Sequence, residues 1–167
     1  MATTIKELLQ ELEQEAPTTR RVLERVPTDR LAWRPHAKSM SLGELATHIA
    51  RLPGPISEMA RAGSFDAASI PPTTSAANTD EILAIFDASL AHARDTISAV
   101  NDADLAGPWR MVRGDQELMS MPRGAVFRSI LFNHWYHHRG QLTVYLRLND
   151  VPLPSVYGPS ADERPFG

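Results

Sequence analysis

The chain has 167 residues, a mass of 18.5 kDa, a formal net charge of -3 and no cysteine. The lack of cysteine excludes disulfides, thiolate zinc sites and a cysteine nucleophile, so a metal site would have to use histidine, carboxylate, carbonyl or water ligands. A pI near 6.1 provides no basic field for phosphate backbones, which argues against nucleic acid as a partner. Since the sequence has neither a signal-like N-terminus nor a bilayer-length apolar run, it predicts one cytoplasmic domain, residues 1–167, without a membrane contact.

The first helix is predicted over residues 4–26. Its apolar positions lie three or four residues apart, or multiples of these, at Ile5, Leu8, Leu12, Thr19, Leu23 and Val26. Pro17 removes one backbone hydrogen bond and crowds the preceding turn, so we expect the helix to kink near Glu15 and Ala16 or to divide. The next segment, residues 27–40, has no periodicity and is predicted to be a loop anchored by Trp33.

The second helix is predicted to begin with a capping box, because Ser41 can act as the N-cap and Glu44 follows three residues later. Its apolar stripe comprises Leu42, Leu45, Ile49, Leu52, Ile56 and Met59. His48 lies on the shoulder of this buried face. We expect residues 53–55, Pro-Gly-Pro, to bend the helix one turn further on.

Three segments follow before the C-terminal helix. Residues 63–78 are predicted to form a long loop of small residues, a kind of loop that is often functional or mobile. A third helix is predicted over residues 79–101, with a stripe of Ile82, Phe86, Ala93, Ile97 and Val100. Residues 102–122 contain short apolar runs separated by Arg-Gly-Asp at 113–115, which favours a small β-hairpin.

The C-terminal helix is predicted over residues 123–149, with an apolar stripe of Phe127, Leu131, Leu142 and Tyr145. His134 and His138 fall on that same face, where core side chains would otherwise continue. The tail beyond residue 149 contains four prolines and is predicted to be extended, either packing on the surface or reaching a partner. Together the elements predict an all-α fold, a four-helix up-down bundle with a possible small β-hairpin between the third and fourth helices.

Two histidines four residues apart on a helix stack on one side and can converge on one metal ion. Two neighbouring buried imidazoles are costly unless a shared partner satisfies them, and His48 from a facing helix would complete a three-nitrogen cap with open positions. The sequence therefore predicts metal ligands at His48, His134 and His138. Because pairs with this spacing also occur for structural reasons, histidines that are merely hydrogen-bonded, without metal, are an alternative hypothesis.

Two more residues are candidates for the surroundings of the site. His137 could replace His138 as a ligand, but the core stripe continues from the latter, so His137 is predicted to lie behind the ligands, at the rim, or exposed on the surface. Glu44 could orient His48 through a hydrogen bond, although its N-capping role is the stronger prediction. Two histidines lie off the buried stripes and are predicted not to be ligands, namely His36 and His92.

Three stretches, WRPHAKSMSLGELATHIA, NHWYHHRGQLTVYLRLNDVPLP and YGPSADE, together resemble the DinB family, of the DinB/YfiT-like type. The resemblance extends over most of the chain, from the loop around Trp33 to the tail. It implies a four-helix bundle in which three histidines hold a divalent metal, commonly zinc or nickel. The matching positions here are His48, His134 and His138. The resemblance also implies a homodimer, which the proline-rich tail could help to build.

The resemblance leaves the reaction open, since fold and metal do not fix chemistry. The family that the chain resembles includes metal-dependent transferases that use low-molecular-weight thiols, and a thiol-linked isomerase. An open site of three neutral histidines would keep the full charge of the ion and could activate a thiol or water. The sequence thus predicts a metal-dependent enzyme that attacks a small-molecule electrophile, as an S-transferase or a hydrolase, and it identifies no further catalytic acid or base. The alternative is a dimeric, stress-related metal-binding protein without catalysis.

Overall fold

The computed structural model describes residues 3–164, and this part of the chain is mostly helical, as predicted. Its α-helices are α1 (Ile5–Leu23), α2 (Leu42–Arg51), α3 (Pro53–Ala62), α4 (Thr79–Ser98), α5 (Arg123–Val126) and α6 (His134–Leu148). A π-helical segment, Phe127–Asn133, joins α5 to α6. Helix α4 packs on α1, α2 and α3, while α6 packs on α1 and α2. Over residues 3–164 no helix combines the length and the apolarity that crossing a bilayer requires.

The predicted up-down arrangement of four helices describes this architecture only in outline, because the second predicted helix is divided into α2 and α3. The two meet at Leu52, which keeps helical angles of φ -51 and ψ -47. Pro53 and Pro55 have no N–H to donate, so the hydrogen-bond ladder is interrupted where the sequence predicted a bend. The amide of Gly54 donates instead to Ser89 Oγ of α4 at 2.9 Å, which ties this junction to the neighbouring helix.

The sequence predicted that α1 would kink or divide at Pro17. The helix remains continuous through Pro17, so it does not divide. Its start is fixed by a capping box, in which Thr4 Oγ1 accepts from the Glu7 amide at 3.2 Å and Glu7 Oε2 accepts from the Thr4 amide at 2.9 Å. The helix ends at Leu23 rather than at Val26. Pro17 is exposed, whereas Glu15, Ala16 and Thr19 are buried, and the packing of α1 on α4 and α6 holds the helix together despite the missing donor.

A small sheet contains β1 (Ser64–Asp66), β2 (Pro108–Arg113) and β3 (Gln116–Pro122), in the order β1-β2-β3. Strands β2 and β3 form the antiparallel hairpin that the sequence predicted, and Gly114 adopts φ +58 in its turn. Strand β1 adds in parallel, with Ser64 opposite Arg110. The all-α prediction is therefore corrected. A strand of three residues at the start of the predicted 63–78 loop is too short to give a periodic signal.

The buried face of α6 differs from the predicted stripe. Its buried residues are Trp135, Arg139, Leu142 and Leu146. His134 and His138 each precede one of these positions and lie half-buried on the shoulder of the face rather than at its centre. The π-helical segment explains the difference, because its wider turns shift the phase of everything that follows. A stripe extrapolated from Phe127 with α-helical spacing is therefore out of phase when it reaches His134.

The tail after α6 packs back on its own chain. Glu163 forms ion pairs with Arg21 and Arg25 of α1, and Asp162 pairs with Arg147 of α6. The sequence predicted an extended segment that packs on the surface or reaches a partner. The described residues show the first of these arrangements.

Candidate metal centre

Three histidines from two facing helices converge on one point. His48 of α2 and both His134 and His138 of α6 present ring nitrogens that all lie within 4.8 Å of one another. His134 Nε2 lies 3.5 Å from His48 Nε2 and 2.7 Å from His138 Nε2. Among residues 3–164, no other group of three or more His, Asp or Glu side chains has this spacing. The structure thus brings together the three residues that the sequence predicted.

The relative position of α2 and α6 at this point is fixed by a neighbouring contact. The indole Nε1 of Trp135 donates to the carbonyl of Ile49 at 3.1 Å, and both groups are buried. Each of these residues directly follows a histidine of the cluster. The bond therefore sets the height of His134 on α6 relative to His48 on α2, independently of the imidazoles themselves.

Hydrogen bonds at the outer ring nitrogens define which nitrogen of each α6 histidine faces inward. His138 Nδ1 donates to Gln141 Oε1 at 2.7 Å, which leaves the lone pair of this ring on Nε2. The backbone carbonyl of Ile130, one turn before His134, accepts from the His134 ring. Because His134 Nε2 faces the cluster, its outer nitrogen is the one that serves this carbonyl. His134 Nε2 and His138 Nε2 face each other at 2.7 Å at the centre of the cluster, so at most one of them can carry a proton there.

The cluster is uncharged at neutral pH. Burial lowers the pKa of His48 to about 4, and repulsion from His138 and His134 adds to the effect. Burial also lowers the pKa of His134 and of His138, although hydrogen bonds to Ile130 and Gln141 oppose it. Neutral imidazole is the form of histidine that binds metal ions.

The donor set fits a divalent transition metal. In a tetrahedral site with metal–nitrogen bonds of about 2.0–2.1 Å, neighbouring nitrogens lie about 3.3–3.4 Å apart. The 3.5 Å between His48 Nε2 and His134 Nε2 matches this spacing, while the 2.7 Å between His134 and His138 would lengthen slightly. Imidazole ligands suit zinc, nickel, copper and iron rather than magnesium or calcium.

A groove of about 480 Å³ opens beside His48 and His134. One wall is formed by apolar residues of α2 and α3, namely Leu52, Ile56 and Met59, and the opposite wall by Ile70, Pro71 and Pro72. No aspartate or glutamate of the described residues lines the groove. Sequence reasoning missed it because its outer wall belongs to the predicted 63–78 loop, whose path depends on contacts with α2. The length of that loop, which is typical of functional loops, was the signal in the sequence.

The outer wall belongs to residues 69–76, which we term the strap, and it is held against α2 at several points. The amide of Ala76 donates to Thr47 Oγ1 at 2.9 Å, and Arg51 Nη1 donates to Thr74 Oγ1 at 2.6 Å. At Gly43 the strap comes so close that an added Cβ would lie 2.2 Å from Ser75 Oγ. The groove is therefore built by specific contacts along the N-terminal part of the α2–α3 helix pair.

The remaining predicted site residues lie outside the cluster. His137 is exposed, and its ring centroid is 5.0 Å from that of His138. The Glu44 carboxylate accepts from the Ser41 amide at 2.6 Å and pairs with Arg34 at 3.6 Å, so it caps α2 as predicted, and it forms no hydrogen bond to His48 in the described part of the chain. The other two histidines are exposed and apart from the cluster, namely His36 and His92.

Comparison with known proteins identifies the family. The DinB family model matches residues 1–164. The structure of a DinB-like protein from Bacillus cereus ATCC 10987 matches with a TM-score of 0.74 at 24% identity, and the match covers 94% of this chain and 100% of that chain. The structure of the DinB-like protein YjoA from Bacillus subtilis matches with a TM-score of 0.69 at 18% identity, and the match covers 90% of this chain and 97% of that chain. At these identities the likeness is one of fold. The uncharacterized protein YrdA of Bacillus subtilis strain 168 is 42% identical over 43 residues, which are 26% of this chain and only 25% of that protein. Since the family model spans nearly the whole chain, as the resemblance predicted, the chain belongs to the DinB family.

Proposed function

We propose that the chain is a divalent-metal-dependent enzyme that activates a thiol or water for attack on a small electrophile, as an S-transferase or a hydrolase. The observation that carries this proposal is the convergence of three neutral imidazoles at the edge of an apolar groove. Zinc or nickel as the metal, and a low-molecular-weight thiol as the nucleophile, come from the family resemblance.

The ligands would be His48, His134 and His138, each through Nε2. His134 Nε2 and His138 Nε2 lie 2.7 Å apart, a distance that requires a proton or a cation between them. Gln141 keeps a proton on the outer nitrogen of His138, so a shared divalent cation satisfies the inner nitrogens better than a proton does. When bound, such an ion supplies Lewis-acid activation, which makes a thiol or water nucleophilic at neutral pH.

The surroundings favour catalysis over a storage role. Three protein ligands leave a position of a tetrahedral site free, which is the pattern of catalytic rather than structural zinc sites. His48 and His134 both line the groove, and its apolar walls would exclude water from a bound substrate. Within residues 3–164 no carboxylate lines the groove, so the charge of the ion would remain available to polarise the nucleophile. The non-catalytic alternative gives the groove no role.

The first experiment measures metal content per chain by elemental mass spectrometry on freshly purified protein. We expect about one divalent ion per chain for the wild type and for His137→Ala, the matched control beside the cluster, and none for His48→Ala. Gln141→Ala should bind the ion about 10- to 100-fold more weakly, because His138 loses the partner that orients its ring. Wild-type protein that takes up no metal, even after incubation with zinc and nickel, would overturn the proposal.

A second experiment separates the possible reactions. The metal-loaded wild type is incubated with small electrophiles in the presence and absence of low-molecular-weight thiols, with His48→Ala as the metal-free control. Thiol-dependent turnover supports an S-transferase, and turnover without thiol supports a hydrolase. One bound metal ion with no turnover in any combination would favour the non-catalytic metal-binding alternative instead.

A further inference from the structure

The groove carries a positive charge that no carboxylate of the described chain neutralises. Arg51 lies on α2 three residues after His48 and lines the groove. Its guanidinium donates a hydrogen bond to a neutral partner, the hydroxyl of Thr74. Within residues 3–164 no carboxylate oxygen lies within 4.0 Å of its guanidinium, whereas many other arginines pair with an acidic residue, among them Arg61, Arg94 and Arg128.

The contact with Thr74 does not account for a guanidinium at this position. A guanidinium has five N–H donors in a planar fork, and the Thr74 hydroxyl accepts only one of them. The strap is also held by a separate hydrogen bond, from the amide of Ala76 to Thr47 Oγ1. A neutral donor would suffice to anchor Thr74, so the charge and the remaining N–H donors of Arg51 are available to bind a ligand.

The residues that line the groove indicate which kind of ligand Arg51 could bind. Its walls are apolar, and among residues 3–164 no acidic residue lines it and Arg51 is its only permanently charged lining residue. Arg51 is exposed at the edge of this apolar groove, so its guanidinium can reach an anionic group of a ligand whose body lies on the apolar wall. A planar carboxylate matches the fork of a guanidinium with two parallel hydrogen bonds.

We infer that the groove binds a ligand with a carboxylate group and an apolar body, the carboxylate on Arg51 and the body along Leu52, Ile56 and Met59. This inference rests on the proposed function and names the class of its substrate. Residues three apart on a helix have their Cβ atoms about 5–6 Å from each other. The carboxylate would therefore sit about one helical turn from His48, so that the carbons next to it lie close to the histidine cluster.

The test measures displacement of Nile red, a neutral dye of apolar sites, by decanoate and by decanol from the full chain as purified. These probes share the apolar body and differ in the charged group. We expect decanoate to bind at least about tenfold more tightly than decanol to the wild type, as a charge-assisted bidentate contact implies. In Arg51→Gln that preference should fall to about twofold or less, while the affinity for decanol stays within about twofold of the wild-type value.

Two controls isolate the charge from the strap. Thr74→Val removes the hydrogen bond to the strap but keeps the guanidinium, so the preference for decanoate should persist. Arg113→Gln makes the same change in net charge at an exposed position at the end of β2, outside the groove, and should also leave the preference intact. If Arg51→Gln weakens both probes equally, or if Thr74→Val abolishes the preference, Arg51 only anchors the strap and the inference is overturned.

Measuring both metal content and ligand binding in His48→Ala separates this inference from the proposed function. His48→Ala should lose the metal but retain the preference for decanoate, because Arg51 remains. Loss of the preference in His48→Ala would mean that the carboxylate binds the metal instead, which overturns the role of Arg51. A wild type that binds decanoate and decanol equally, or binds neither, overturns the inference even if one metal ion per chain is found. Absence of metal with the preference intact would overturn only the proposed function.

Discussion

Burial determines the protonation of the histidine cluster, residue by residue. The pKa of His48 is lowered to about 4, and the pKa values of His134 and His138 are lowered as well, so all three rings are neutral at pH 7. A metal ion therefore does not have to displace protons from its ligands at neutral pH. Protons begin to compete only when the pH falls below the ordinary histidine value of about 6.5.

The same shift predicts how stability depends on pH. In the metal-free protein the folded pKa of His48 lies below its unfolded value of 6.5, so protons favour the unfolded chain. The contribution of His48 should be fully present above about pH 6.5 and be lost as the pH falls towards 4. We expect the free energy of unfolding, measured in urea with chelator at a series of pH values, to decline over this window. His48→Ala should show a shallower decline, and an unchanged slope would contradict the assigned cause.

Single residues of the site differ in how far the sequence could predict them. His48, His134 and His138 could be predicted because helical spacing brings them to one side of their helices. The bond from His138 to Gln141 depends on side-chain rotamers, and the position of Arg51 in a groove depends on the path of the strap, so spacing along the chain indicated neither. The capping role of Glu44 was predictable because a capping box involves only neighbouring residues.

At the level of elements, local signals succeeded and non-local ones failed. The start of α2 and the β2–β3 hairpin follow from neighbouring residues and were predicted correctly. Strand β1 forms only because β2 lies beside it, and the π-helical segment Phe127–Asn133 leaves no mark in composition. The strap is a third case, since it is shaped by its contact with α2 at Gly43.

A pair of glycine substitutions tests that contact. At Gly43 an added Cβ would lie 2.2 Å from Ser75 Oγ and 3.2 Å from the Leu31 carbonyl, so Gly43→Ala should displace the strap and lower the stability by about 1–3 kcal/mol. At Gly140, in α6, an added Cβ would meet nothing within 4 Å. Gly140→Ala should therefore raise the stability by up to about 1 kcal/mol through helix propensity alone. Thermal and urea unfolding measure both effects, and a stabilised Gly43→Ala variant would contradict the close approach of the strap.

Across the whole molecule, a polar cluster centred on the buried Arg139 connects the first helix, the last helix and the tail. Arg139 is only 1% exposed, and its Nη2 lies 2.7 Å from Glu15 Oε2 of α1. Its Nη1 donates to Thr19 Oγ1 at 2.9 Å, and Tyr157 of the tail donates to Glu15 Oε2 at 3.0 Å. The guanidinium also lies over the rings of Tyr136 and Tyr157. The described part of the tail is bound to its own chain in this way, and the homodimer that the resemblance implies stays a prediction.

This cluster gives the last prediction, which compares a buried ion pair with an exposed one. Arg139→Met would leave the charge of Glu15 buried without its cation, so the free energy of unfolding in urea should fall by about 3–5 kcal/mol. Arg94→Met is the matched control. Arg94 of α4 pairs at an exposed site with Glu13, which lies on α1 like Glu15, and the loss of this pair should cost about 1 kcal/mol or less. The double variant Glu15→Leu, Arg139→Met removes both charges and should recover most of the loss. Equal losses for the two single variants would mean that burial does not set the strength of the Arg139 contact.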